Sequence, residues 1–493
     1  MIPASEAVGT REGGRFDGSV LRAPSTQCTP WDRLRRKVPR GQGRTETTTP
    51  SSPAVPVVSA PPPFWEAGLQ PSSIPMRIDS VDLEIQREPF ARPFGFKGSA
   101  FCEKWNLVVR LRDAAGNEAF GVGGLAVLLS DEDVFSAHTE TGGNVLQAAM
   151  LEHALQLAKG QDFADPPALL DALSPEVHGY GKRATENPAL RPTFTLNALV
   201  ALDNAAWMLF AKQQRIDSFD QLIPAAYRPV LSARQERLGL VPTISYTMPI
   251  EEVRSLLEQG AFVLKIKLGQ AGDEQERLAK DQDWFGKIHE VARTFATSMT
   301  DSGNVLYYLD INGRYARKDT LLRLLDYAER HGMGERILLV EEPFSQVLRI
   351  DVHDVPARLA ADESLHSVAD LQTKVEQGYT AVALKPAGKT LSVAFRMAAA
   401  AAEAGVPAYL ADNACVPLLV EWNKNVAARL PAFPGVKCGI MESNGPETYA
   451  TWQRMLDALP FAGASWLRAR EGAFALDGAY YQLDCCDFDN RLK

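Results

Sequence analysis

Three short apolar runs in this chain each stop at an acid: LYYLDING at 306–313, LLVEEP at 338–343 and LAADES at 359–364. A buried parallel strand ends this way when it delivers a carboxylate to the carboxyl edge of a sheet. The acids are Asp310, Glu341, with Glu342 beside it, and Asp362. Two further runs flank them, FVLKIKLG at 262–269 and AVALKP at 381–386, and these end in Lys267 and Lys385. The order on successive strands is therefore lysine, acid, acid, acid, lysine.

Three carboxylates from adjacent strands, with no histidine or cysteine among them, make an oxygen-only set suited to Mg²⁺ or Mn²⁺. A single acid at a strand end reads as a helix cap or an ion-pair partner. Three in consecutive strand ends, flanked by lysines in buried strands, read as a site. Side chains alternate along a strand, so Lys265 and Lys267 share a face and both point into the same interior. Two ammonium groups that close disfavour each other's protonation, and burial adds to the effect, which makes Lys267 available as a neutral base near pH 7.

The elements that must position these groups follow a clear change of pattern along the 493 residues. Residues 1–75 are rich in Pro, Ser, Thr, Gly and Arg and read as a disordered tail. From 76 to 238 the pattern is that of an α+β capping domain: a strand, a loop at 91–104 carrying Phe94, Phe96 and Phe101, a hairpin turning at 115–117, and helices at 142–159 and 193–213. The aromatic loop reads equally as a lid over a ligand and as packing onto the domain. From 239 to 463, eight strand-like runs (242–247, 262–268, 306–311, 337–342, 357–362, 380–385, 407–412 and 436–441) alternate with amphipathic helices, which predicts a (β/α)₈ TIM-like barrel. The segment 464–493 reads as extended structure returning to the capping domain.

Composition narrows the function. A net charge of −9 and 45% hydrophobic residues suit an enzyme with a large core, and the one basic cluster, RLRRKVPR at 33–40, lies in the tail, so no nucleic-acid partner is expected. No run of about 18 uninterrupted apolar residues appears, so no membrane partner is expected either. Six scattered cysteines without CxxC spacing indicate neither a disulfide framework nor a zinc site, and the expected compartment is the cytoplasm.

Taken together, the ordered motifs KxK, DxN, EEP, DES and a strand-end LKP resemble the enolase superfamily, and within it the muconate-lactonizing-enzyme group that includes dipeptide epimerases and succinylbenzoate synthases. ALVALDNAAW at 198–207 also resembles the helix that precedes the barrel in those proteins. The resemblance implies the modified, enolase-type barrel, one Mg²⁺ (or Mn²⁺) held by Asp310, Glu341 and Asp362, and Lys267 and Lys385 on opposite faces of a small-molecule carboxylate substrate. Lys265 would help hold the developing negative charge. A homo-oligomer is implied as well. One departure stands out: where the family commonly has a Gly pair, this chain has Ala387-Gly388-Lys389-Thr390.

The expected activity is a Mg-dependent racemase or epimerase that abstracts the proton α to a carboxylate through an enediolate, on a dipeptide or an N-acylamino acid. Two opposed bases allow inversion at carbon; one base with a leaving group gives a lyase or cycloisomerase. Acid-sugar dehydratases of this superfamily generally use a seventh-strand histidine, and Asp412 and Asn413 stand there instead. A Schiff-base aldolase would leave three carboxylates without a role, and a non-catalytic binding protein would have no reason to bury them. Asp412, Asn413 and Glu442 at the barrel mouth, Ser245 and Thr247 on the first strand, and Phe96 in the loop are the candidate substrate contacts.

Overall fold

The backbone-to-backbone contact of one helix with one sheet shapes the first part of the molecule. Gly121 and Gly123 lie in the strand Glu118–Gly124, and a side chain at either would run into the backbone of Ala201 or Ala205. The small residues of ALVALDNAAW and the glycines of GVGG thus let helix Pro192–Gln214 lie directly on the sheet. That helix is long and apolar enough to cross a membrane by length and composition, but 94% of its apolar window is buried inside the fold. The computed structural model describes residues 75–97 and 99–489, apart from the side chains of Phe96 and Cys486. The expectation for 1–75 therefore lies, but for one residue, outside the described part.

The three-stranded antiparallel sheet runs Ser80–Phe96, Ser99–Arg112, Glu118–Gly124. The stretch 91–104 is not a loop, as the sequence predicts, but the tip of this long hairpin. Glycines and the irregular apolar pattern hide it, because the pairing slips between Pro89 and Phe94 before resuming at Phe94 opposite Phe101. Helices Glu132–Ala158 and Pro166–Ala184 complete the capping layer.

Eight parallel strands then form the barrel sheet. The second to eighth are Val263–Lys267, Leu306–Asp310, Ile337–Glu341, Leu359–Ala361, Ala381–Leu384, Ala408–Leu410 and Gly439–Glu442, each paired with the next in order. The first strand is broken at Pro242, which has no amide to donate. Its lower half, Arg237–Val241, pairs with the eighth strand, and its upper half, Thr243–Ile244, pairs with the second, so the ring closes. The sequence places this strand at 242–247; the break and the earlier start shift Ser245 and Thr247 beyond its end. Helices follow most strands, but no helix is described between 342 and 358, which makes this a modified (β/α)₈ barrel with an N-terminal cap.

The C-terminal segment reaches the cap as expected but is not extended along its length. Its regular structure is mainly short helical segments, Ser465–Leu467, Gly478–Tyr481 and Cys485–Phe488, and its one strand among the described residues, Ala473–Ala475, pairs antiparallel with Arg237–Val241 of the barrel. Contact with the cap comes later, where the Asp489 carboxylate accepts from Phe120 N and pairs with Lys212.

Candidate active site

Strand alternation turns Lys265, Lys267, Tyr308, Asp310, Glu341, Asp362, Lys385 and Glu442 toward the barrel interior, while Ile266, Leu309, Val340 and Ala361 join the outer core. All eight inward residues are buried. The second and sixth strands are four apart in an eight-strand ring, so Lys267 and Lys385 come from opposite sides of one mouth. Both line a cavity of about 30 Å³, together with Lys265, Asp310, Asn312, Asp362, Asp412, Asn413, Glu442 and Asn444. From the cap, Phe94 and Phe101 cover it, and Phe101 packs with Leu128 and Ala414. The aromatic tip therefore both packs on the domain and roofs the cavity. Phe96 pairs with Ser99 through its backbone, and its side chain is outside the described part.

The charged groups are tightly interlocked. Lys265 Nζ lies 2.9 Å from Asp310 Oδ2, Glu341 Oε1 and Glu442 Oε2. Lys267 Nζ donates to Asp310 Oδ2 at 2.5 Å and to Asn312 Oδ1 at 3.1 Å. Lys385 and Lys389 both donate to Asp362, the latter to Oδ1 at 3.2 Å. The mutual depression of the two lysines expected from their spacing does not leave Lys265 short of its charge. Burial opposes the ammonium, but Asp310, Glu341 and Glu442 hold Lys265 well above its ordinary value. Burial likewise opposes the charge on Lys385, which Asp362 and Glu363 hold above its ordinary value. Asp310 and Asp362, although buried, are held well below the usual carboxylate range by Lys265 and Lys267 and by Lys385 and Lys389 respectively. Glu341 goes the other way: burial and then the charge of Asp310 push it well above that range.

Glu342 turns away from the mouth and braces the fifth strand, accepting from Asp362 N at 2.8 Å and Ser364 Oγ at 2.9 Å. Asp412 is pushed up by burial and by Glu442, whereas Lys265 holds Glu442 down against its own burial. Ser245 and Thr247 are half-buried and exposed, 3.5 Å apart, and do not line the cavity. Thr243 serves the first strand instead, donating to Glu442 Oε1 at 2.7 Å.

Several contributors lie outside the sequence-based set. Lys389 and Thr390 stand where the Gly pair was expected, and Thr390 keeps a positive φ of 78°. Asp203 and Trp207 explain the helix motif: Asp203 accepts from Leu391 N at 2.9 Å and Ser392 N at 3.1 Å, and Trp207 Nε1 donates to Ser392 Oγ at 3.0 Å. The cap helix thereby caps the barrel helix that follows Lys385. Lys104, wholly buried in the cap, donates to the backbone oxygen of Asn413, and burial brings it down to about 8.

The donor chemistry fits a hard divalent cation. Asp310, Glu341 and Asp362 offer oxygen alone from three consecutive strands, and the repulsion that raises Glu341 is what a cation would relieve. As they stand, no three acidic, histidine or cysteine side chains among the described residues converge on one point, because the lysines take up the carboxylate oxygens. Binding would require Asp310, Glu341 and Asp362 to exchange lysine for metal. A far larger cavity, about 770 Å³, lies elsewhere, between Pro166–Ala184 and Leu391–Glu403, and is lined by none of these acids or lysines. Its volume is not a guide to the chemistry.

No protein-family model matches the chain, and no curated protein does. Solved structures match in fold. A mandelate racemase/muconate lactonizing protein from Herpetosiphon aurantiacus superimposes with a TM-score of 0.60 at 17% identity, covering 85% of this chain and 100% of its own. The dipeptide epimerase from Methylococcus capsulatus, complexed with Mg and the dipeptide L-Arg-D-Lys, gives 0.52 at 23% identity, covering 75% and 90%. The L-talarate dehydratase from Polaromonas sp. JS666, complexed with Mg and L-glucarate, gives 0.55 at 16%, covering 81% and 92%. The strand-end motifs and the closed, capped barrel converge on one architecture: the chain has the fold of the mandelate racemase and muconate lactonizing enzymes of the enolase superfamily.

Proposed function

We propose that this protein is a racemase or epimerase that removes and returns the proton α to a carboxylate, on a dipeptide or an N-acylamino acid, with Mg²⁺ or Mn²⁺ held by Asp310, Glu341 and Asp362. The observation that carries this reading is the opposition of Lys267 and Lys385 across one acid-lined mouth. Two amines on opposite sides of one carbon are what inversion requires. A divalent cation held by the three acids would supply positive charge against the substrate carboxylate, making the α-proton more acidic.

The remaining work falls to side chains of this chain. Lys267, whose amine meets Asp310 and Asn312, is placed to accept the proton once Asp310 is engaged elsewhere. Lys385, charged against Asp362, starts as the acid that returns a proton from the other face. With the other stereoisomer the two roles exchange. Asp412 and Glu442 offer acceptors to a cationic or amide-bearing part of the substrate, and Phe94 and Phe101 keep water from the reacting carbon. None of the seven histidines lines the cavity, so proton transfer rests with the lysines. A cytoplasmic homo-oligomer is the setting that goes with this reading.

A library of dipeptides and N-acylamino acids in D₂O with Mg²⁺ tests it. The expected result is α-deuterium incorporation with inversion in at least one member. Loss of water or cycloisomerisation without inversion would move the assignment to a lyase or cycloisomerase on the same scaffold.

A further inference from the structure

Below the carboxylates the barrel interior holds two tyrosines among small residues. The fifth to seventh strands contribute Ala360, Ala381, Ala383 and Ala411, and the space is filled by Tyr308 from the third strand and Tyr409 from the seventh. The rings meet edge to face, 5.3 Å apart and at 83°. Phenylalanine would fill that space equally well, so the hydroxyls need a separate account, since a buried phenol is costly without a partner. The two hydroxyls lie 3.1 Å apart, within hydrogen-bond reach of each other, and both converge on one carboxylate oxygen. Tyr409 donates to Glu341 Oε2 at 2.6 Å, and Tyr308 donates to the same oxygen. Lys265 Nζ completes the arrangement, donating to the Tyr308 hydroxyl at 3.0 Å and to Glu341 Oε1 at 2.9 Å.

We propose that Tyr308 and Tyr409 are positioning residues that fix the orientation of Glu341 and so set how tightly the strand-end acids bind a divalent cation. The inference rests on the reading above that Asp310, Glu341 and Asp362 are the cation ligands. The two phenols reach Glu341 from strands four apart in the ring, so they grip one carboxylate oxygen from two sides. A ligand already oriented loses less freedom on binding, and donors to a ligating carboxylate typically govern affinity as strongly as this. Neither tyrosine itself lines the cavity, which distinguishes them from the groups that would meet substrate.

Titration of the full-length protein with Mn²⁺, followed by calorimetry and by electron paramagnetic resonance, is the test. Tyr308→Phe and Tyr409→Phe keep the ring and remove the hydroxyl; each is expected to weaken Mn²⁺ binding about 10- to 100-fold and to alter the resonance of the bound ion. Tyr307→Phe is the control. Its hydroxyl faces outward, 2.8 Å from His289 Nδ1, and Mn²⁺ affinity should not move. Wild-type affinity in both Tyr308→Phe and Tyr409→Phe would overturn the proposal while leaving the metal reading intact. Absence of Mn²⁺ binding by the wild-type protein would remove both.

Discussion

Two buried lysine–carboxylate assemblies behave in opposite ways. At the mouth, Lys265 and Lys385 are held above their ordinary values, and Asp310 and Asp362 below theirs. On helix Pro417–Ala427, behind the seventh and eighth strands, Glu421 and Lys424 form an equally buried pair. There burial wins on both sides: it raises Glu421 and lowers Lys424. The difference is the number of partners. Lys265 meets three carboxylates, whereas Lys424 meets one and otherwise has the Trp466 backbone oxygen at 2.7 Å and the Phe474 ring at 4.0 Å. A lone pair does not recover its desolvation cost; a network does. Charge kept in a dry cavity is useful for proton transfer, and charge on the helix is merely tolerated.

The contrast is broken most severely at the mouth. Lys267→Ala and Lys385→Ala should each lower turnover of the substrate by about 10³-fold or more, read by steady-state polarimetry, because each removes one of the two proton-transfer groups. On the helix, Lys424→Met should destabilise the fold by roughly 3 kcal/mol in urea unfolding, since Glu421 is left buried without its partner. Replacing both, Glu421→Leu with Lys424→Met, should return stability to within about 1 kcal/mol of wild type or raise it. The same double replacement among mouth residues would end activity.

A buried acid outside both assemblies sharpens the comparison through pH. Asp203 accepts from backbone amides and a hydroxyl but has no lysine partner, and burial pushes it from 3.8 up to about 6. The folded protein then holds this proton more tightly than the unfolded chain. Its contribution favours folding below pH 3.8 and is lost as pH rises through about 6. The change is on the order of 3 kcal/mol. Asp203→Asn should flatten that part of the unfolding free energy measured against pH, with a smaller loss of overall stability from the weakened cap on Leu391 and Ser392.

Much of the mouth was legible because its strands are buried on both faces. Uninterrupted apolar runs such as LYYLD and AVALK mark their ends by the first charged residue, and that residue is where the chemistry collects. Tyr308 was within reach by the same logic, since two steps back from Asp310 along a strand is the same face. Tyr409, Thr243 and Lys104 were not. Each takes its meaning from a residue distant in the chain, and Lys104 meets Asn413 309 positions away. Ser245 and Thr247 read as first-strand residues but lie just past its end, because Pro242 splits a strand that begins at Arg237. The hairpin tip at 91–104 escaped because an irregular pairing erases the alternation by which strands are recognised.

The most direct test follows α-proton exchange separately for each stereoisomer of an active substrate in D₂O, in wild type, Lys267→Ala and Lys385→Ala. Two opposed bases predict that each variant loses interconversion but still exchanges the α-proton of one stereoisomer, with the surviving stereoisomer differing between the variants. Exchange of both stereoisomers by either variant, or survival of the same stereoisomer in both, would contradict the account.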